Sequence, residues 1–301
     1  MEVKNENNEQ KYPFIVEIYF RADKIYRKIF NSHFVTKKIY RRVDETHFSV
    51  EKVYRNIVGL SKIVFTGFWL GILKRETFHL IDNKFFNNDD NRKIYHNNEY
   101  NRSGFFEWEK IIIENYFQQC KSLLVTSAGG GREMLALMKR GYEVEGFECN
   151  NALVECAHRL FIEEGFPPRI QSAPRDQCPP VTKIYDGIIV GWSAYMYIQG
   201  RTNRIAFLKI LRKLLRERAP ILLSFFAYPD KPFYFRMIKA VANSIRWPLG
   251  RELAEAGDDL VPNYVHIFNE EEIASELNEA GFQLELYSTD LYGHAVGFAV
   301  R

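Results

Sequence analysis

Between Leu123 and Glu148 the sequence passes through an apolar run (Leu123, Leu124, Val125), three consecutive glycines (Gly129, Gly130, Gly131), a stretch with helical apolar spacing, a second extended run and a closing acid. That order constrains the fold more than any other part of the chain. A strand that feeds a helix through glycines exposes backbone N–H groups at the helix start, because glycine has no Cβ and tolerates φ > 0. An acid ending the next strand, 17 residues past Gly131, is placed to accept hydrogen bonds from ribose hydroxyls. The pattern predicts a nucleotide-binding βαβ half, with Ser127, Ala128, Gly129, Gly130, Gly131 and Glu148 at the ligand.

The glycine spacing narrows the ligand. A dinucleotide fingerprint has a third small residue that lets helix and strand pack closely. Reading Gly129 and Gly131 as the first two puts Met134 in that place, which argues against a pyrophosphate turn. Gly129-Gly130-Gly131-Arg132-Glu133 instead resembles motif I of the class I S-adenosylmethionine-dependent methyltransferases. Two positions depart from that pattern. The family's usual acid in the first strand falls at Val125 and its usual first glycine at Ser127, which bears on how the cofactor's amino group is held.

The segments that follow alternate. Leu153, Val154, Ala157, Leu160 and Phe161 recur at helical spacing up to a break at Gly165-Phe166-Pro167-Pro168. Arg169 to Gln171, Tyr185 to Trp192 and Ile221 to Phe226 read as strands, with a helix over Thr202 to Arg218. Strand and helix in alternation predict a mostly parallel sheet. Asn269-Glu270-Glu271-Glu272 opens another helix, closed by Gly281, and two strands joined by an Asp290 to Gly293 turn end the chain. The resemblance, over residues 105–301, implies an α/β, Rossmann-like, mostly parallel seven-stranded sheet with an antiparallel C-terminal strand. A helical N-terminal region precedes it.

Composition fits a soluble enzyme. At 301 residues the chain can bury a substantial core, and a net charge of +3 implies no polyelectrolyte partner. Cys120, Cys149, Cys156 and Cys178 lack zinc-ligand spacing, so no metal site is expected. Met1 to Lys11 is polar and acidic rather than a secretory signal, and a reducing cytoplasm is the simplest expectation.

Residues 1–104 have another character. Tyr19, Phe20, Ile25, Tyr26, Ile29, Phe30, Phe34, Ile39 and Tyr40 are interleaved with Lys24, Arg27, Lys28, Lys37, Lys38, Arg41 and Arg42. Such faces bind nucleic acid or anionic membranes, but basic stems more often cover apolar surface while their heads stay in water. Ile63 to Leu73 is too short to span a bilayer, which takes about 20 residues, and is expected as a buried helix or a cap over a lipophilic pocket. Asn87 to Asn101 reads as a loop.

In the family resembled, a segment before the first strand folds over the cofactor, which makes Tyr100, Arg102 and Trp108 candidates. Asp176 is a candidate for the adenine edge, and Gly191 and Trp192 for the end of the fourth strand. The acceptor side is expected at Trp192, Tyr195, Tyr197 and a long insertion over 227–264. His266 and His294 are candidate bases because imidazole titrates near neutrality, with Tyr195 and Tyr197 beside them. Gly191-Trp192-Ser193-Ala194-Tyr195 stands where methyltransferases of exocyclic amines carry Asn/Asp-Pro-Pro-Tyr, and a nucleophilic Pro-Cys is absent there. The expectation is therefore an S-adenosylmethionine-dependent methyltransferase acting on an O or N acceptor of a small molecule or peptide. A nicotinamide-dependent oxidoreductase and a non-catalytic nucleotide- or nucleic-acid-binding module are the alternatives. Nucleic acid is disfavoured, peripheral membrane contact stays open, and the oligomeric state is not legible.

Overall fold

The computed structural model describes residues 13–30, 47–177, 183–228 and 232–300. Phe34, Lys37, Lys38, Ile39, Tyr40, Arg41, Arg42 and Cys178 lie outside them. The segment Ser122–Thr126 forms β1, and every residue of it is buried, as expected of a strand covered on both faces. The glycine turn leads into α7 (Arg132–Met138), then β2 (Glu143–Glu148), α8 (Asn151–Glu163) and β3 (Ile170–Ser172). The chain then crosses to the other side of β1 with β4 (Gly187–Val190), α9 (Arg201–Lys213) and β5 (Pro220–Ser224).

The seven strands of the main sheet lie in the order β3-β2-β1-β4-β5-β9-β8, where β8 is Phe282–Ser288 and β9 is His294–Ala299. β9 is antiparallel to both neighbours, so β8 runs the same way as the first five strands. The single reversed strand is thus the last one, as expected. Leu123 and Val125 point to one face, with Ile189, Leu222 and residues of α7 and α8; Leu124 points to the other, with Ile188, Ile221 and residues of α9. A helix over Glu270–Glu279 (α11) precedes β8 and starts in a reciprocal cap between Asn269 and Glu272.

Gly146 in β2 explains how Met134 fits. A Cβ there would stand 2.5 Å from the Met134 sulfur, so the strand supplies the space that a dinucleotide fingerprint takes from the helix. Met134 therefore carries less weight against a dinucleotide than its position in the motif suggests.

The N-terminal region is helical throughout the described residues: α1 (Phe14–Phe30), α2 (His47–Ile72), α3 (Arg75–Phe86), α4 (Asp89–Tyr95), α5 (Asn98–Arg102) and α6 (Glu107–Tyr116). The expected Asn87–Asn101 loop is replaced by α4 and α5. Two of its asparagines are N-caps: the Asn88 side chain accepts from Asn91 N–H and that of Asn97 from Glu99 N–H. The 227–264 segment holds α10 (Pro232–Arg246) and most of a hairpin, β6 (Asp258–Leu260) and β7 (Tyr264–His266).

These two parts of the chain, distant in sequence, share one core. Val16, Tyr19, Trp69 and Leu70 pack with Ile238, Ala242, Leu260 and Tyr264. α2 meets α10 across glycines, since a Cβ on Gly67 would stand 2.6 Å from Val241 Cβ and one on Gly71 2.8 Å from Ile245 Cδ1. The Tyr19 hydroxyl adds a hydrogen bond to the Pro262 carbonyl. Ile63 to Leu73 is therefore half of a helix pair with one face buried, and among the described residues no single helix is long and apolar enough to cross a membrane.

Candidate functional site

A cavity of about 340 Å³ opens at the carboxyl ends of β1, β2 and β4, where the strand order reverses. Open α/β sheets leave a crevice at such a point, because the connections on either side go to opposite faces. One wall is the turn after β1. Gly129 takes φ +55° with nothing within 4 Å of the place a Cβ would occupy, so a ligand can approach its backbone. Gly130 instead faces the cap, where a Cβ would meet Asn101 and the Tyr95 carbonyl. Gly131, at φ +92°, leaves room for Phe161 and contacts the helix layer rather than the cavity.

Ser127 occupies the left-handed region at φ +51°. That explains why glycine suits this place and why serine there carries a backbone cost of about 1–2 kcal/mol. Gly191 is a packing residue: a Cβ would stand 2.2 Å from the Ser127 carbonyl, so its absence lets the ends of β1 and β4 close up beneath the cavity.

Glu148 ends β2 at the cavity wall, 6% exposed. Its Oε2 accepts from Gly129 N–H at 2.9 Å and its Oε1 from Asn150 N–H at 2.9 Å. A carboxylate oxygen can accept more than one hydrogen bond, so both retain capacity toward the cavity. Asp176 lies at the same wall but is claimed by the cap: Arg75 donates to it at 2.8 Å and His79 Nε2 stands 3.3 Å away. Burial opposes ionisation of Asp176, yet His79 and Arg75 hold its carboxyl below the usual range.

Much of the remaining wall is aromatic. Phe86 meets Tyr95 and Tyr197 edge-on, both with centroids 5.6 Å apart, and Tyr95 meets Tyr100 the same way at 6.0 Å. Trp192 completes it, with its indole Nε1 buried and lacking a hydrogen-bond partner. Burial pushes the Tyr100 hydroxyl up to about 12 and that of Tyr197 further, so both stay protonated donors at neutral pH.

No protein-family model matches the chain, and no curated protein matches it in sequence. In three dimensions it is similar to an S-adenosylmethionine-dependent methyltransferase from Methanosarcina mazei, with a TM-score of 0.53 and 17% identity over 65% of this chain and 99% of that one. The fold is that of the class I S-adenosylmethionine-dependent methyltransferases. DesVI of Streptomyces venezuelae has a TM-score of 0.48 at 10% identity, over 74% of this chain and 98% of that one. A methyltransferase from Clostridium acetobutylicum has 0.47 at 13%, over 75% and 99%.

Within this methyltransferase fold the remaining candidates sit away from the cavity. Arg102 pairs on the surface with Glu163 at 2.8 Å and Glu164 at 2.6 Å. Tyr195 donates at 2.6 Å to Glu276, inside a buried network with Arg204. His266 is fully buried and donates from Nδ1 to Asp258 at 2.7 Å. His294 stacks on Trp108 at 4.9 Å and donates to the Tyr292 carbonyl at 2.7 Å. Burial lowers the His294 pKa.

Among the described residues, the histidine that lines the cavity is His79, from α3. Asn83, Phe86, Tyr95, Arg132 and Glu133 also line it, and none of them stands among the sequence's site candidates. Nothing in the local sequence of the cap marks His79, Asn83, Phe86 or Tyr95, because their place depends on how the cap folds back across the sheet. Arg132 and Glu133 adjoin the glycines, so their nearness to the motif was a usable signal.

Proposed function

We propose that this chain is an S-adenosylmethionine-dependent methyltransferase that modifies an O or N acceptor on a small molecule or peptide held beneath the cap. The observation that supports it is the cavity shared by the open Gly129 backbone, the Glu148 carboxylate and an aromatic wall that the cap's Phe86, Tyr95 and Tyr100 build with Trp192 and Tyr197. Its volume falls in the range of small-molecule sites. The residues fit the cofactor: space stands where a Gly129 side chain would be, the carboxylate can take ribose hydroxyls, and the Trp192 Nε1–H lacks a partner.

The methionyl end has a candidate counter-charge even though Val125 replaces the usual acid. Arg132 is buried between Glu109 and Glu133, so two carboxylates share one guanidinium. Burial raises the Glu109 carboxyl against the pull of Arg132. An excess negative charge in a desolvated place favours a cation beside it. Glu133 lines the cavity and is the residue we assign to the ammonium group.

The bound cofactor supplies an electrophilic methyl group on a sulfonium, displaced in line by the acceptor. What the protein contributes is alignment, and holding the acceptor against the aromatic wall supplies much of the acceleration. The aromatic lining of the cavity also suits a cationic centre. Tyr197 acts as a hydrogen-bond donor to the acceptor. Where the acceptor must lose a proton, His79 is the residue placed to receive it, oriented by Asp176.

Titration calorimetry with S-adenosylmethionine, S-adenosylhomocysteine and NADH tests the reading, with Glu148→Ala as control. Micromolar binding of the adenosyl ligands, lost in the variant, is expected. Binding of NADH alone would move the chain to the oxidoreductases, and binding of none would make it a non-catalytic module.

A further inference from the structure

The cap carries an apolar surface that the cavity does not use. On α1, Phe14, Ile18, Ile25 and Ile29 are exposed at helical spacing and form one stripe. On α2, Ile57, Leu60, Val64 and Phe68 form a second. The two helices lie side by side and antiparallel, since Tyr26 stacks on Phe65 at 4.4 Å while Tyr19 meets Trp69 at 5.3 Å. Just past α10, which packs on α2 at Gly67 and Gly71, Trp247 is 76% exposed and Leu249 and Leu253 are also exposed. Isolated exposed apolar residues are ordinary, but adjoining stripes on neighbouring helices mark an interaction surface.

Charge selects the occupant. Arg21, Lys24 and Lys28 are exposed along the α1 stripe, while Asp23 is buried and paired with Arg27. α10 contributes exposed Arg236 and Lys239 and contains no acid from Pro232 to Arg246, and the segment after it adds one exposed acid, Glu252. Basic side chains flanking an apolar stripe are the pattern of helices that lie in the headgroup region of an anionic bilayer. A second copy of the chain would instead set the same basic groups against each other.

We propose that the outer face of α1 and α2, with the Trp247 segment, docks on an anionic lipid membrane. In this arrangement the protein rests on the surface: no single described helix is long and apolar enough to span, and α2 with α3, which reach that length and apolarity only as a pair, are bent by 116°. α2 bends by 116° into α3, which carries His79 and Phe86 to the cavity, so the docking face and the cavity wall are joined through one corner. This inference stands on the surface alone and does not depend on the reaction.

Flotation of the full chain with vesicles tests it, comparing pure phosphatidylcholine with vesicles containing about a third phosphatidylglycerol. Binding at least about tenfold tighter to the anionic vesicles, weakened by salt, is expected. Of the four tryptophans Trp247 is the most exposed, so a blue shift of emission on binding, absent in Trp247→Phe, places that segment in the lipid. Leu60→Glu with Val64→Glu should abolish flotation while leaving the melting temperature unchanged, since both side chains are exposed. Trp247→Ala provides a second, separate loss. A chain that fails to float with either vesicle, or floats equally with both, overturns the proposal. So does a sedimenting dimer that Leu60→Glu dissociates, which would give the face to a second copy.

Discussion

Arg132 and Glu109 are joined inside the protein by two parallel hydrogen bonds of 2.6 Å, and Glu133 shares the same guanidinium at 2.9 Å. The Phe106 ring covers the group at 4.0 Å, and Gly104 takes a further hydrogen bond through its carbonyl. This pair fastens α6, which precedes the sheet, to the first residue after the glycine turn. Removing the cation leaves two buried carboxylates, so Arg132→Met should cost about 3–5 kcal/mol in chemical denaturation.

Glu133→Gln keeps an acceptor for Arg132 and for the Trp192 N–H, so the fold should survive. What it removes is charge. S-adenosylhomocysteine should bind about tenfold or more weaker to this variant, while methylthioadenosine, which lacks the amino-acid end, binds as to the parent protein. Equal losses for both ligands in calorimetry would refute the assignment of Glu133 to the ammonium group.

Gly71 lies against Ile245 and Gly67 against Val241, where α2 and α10 approach most closely. Gly71→Ala should destabilise the protein by about 1–3 kcal/mol through overpacking, read as a shift in the denaturant midpoint. Gly59→Ala on the same helix meets nothing within 4 Å and should stabilise instead, by up to about 1 kcal/mol.

Ser127 sits at φ +51°, so Ser127→Gly should relieve strain and raise stability by up to about 1 kcal/mol, after the entropy cost of glycine is deducted. Ser127→Val, with a branched Cβ in the same conformation, should lower it. Thermal melts of the two variants must move in opposite directions.

Asp82, buried in α3, pairs with Arg175 at 2.7 Å. Burial pushes its carboxyl up to about 6 from 3.8, against the pull of Arg175 and His79. The folded state therefore holds this proton where the unfolded chain has lost it, and stability falls as pH rises from about 4 to about 6. Asp82→Asn removes the effect. Relative to that variant, the parent protein should gain up to about 3 kcal/mol between pH 7 and pH 4. Denaturant titrations at both pH values check the sign.

The strand–glycine–helix–strand–acid pattern determined that a nucleotide-type crevice would form, because helix and strand periodicity and glycine's missing Cβ are local properties. The same holds for the Asn269 cap and the closing strand pair, and Glu148 lies at the cavity wall because the end of a strand fixes where its last side chain stands. Only tertiary structure decided the rest. His266, His294 and Tyr195 look like catalytic groups in a sequence, but each is turned to a partner supplied by packing: Asp258, Trp108 and Glu276. His79 and Phe86 look like ordinary residues of a surface helix until α2 packs on α10 and carries α3 over the sheet. That pairing joins segments more than 150 residues apart. Long-range contacts of this kind leave no periodicity in either segment, which is why the crevice was legible in the sequence and its roof was not.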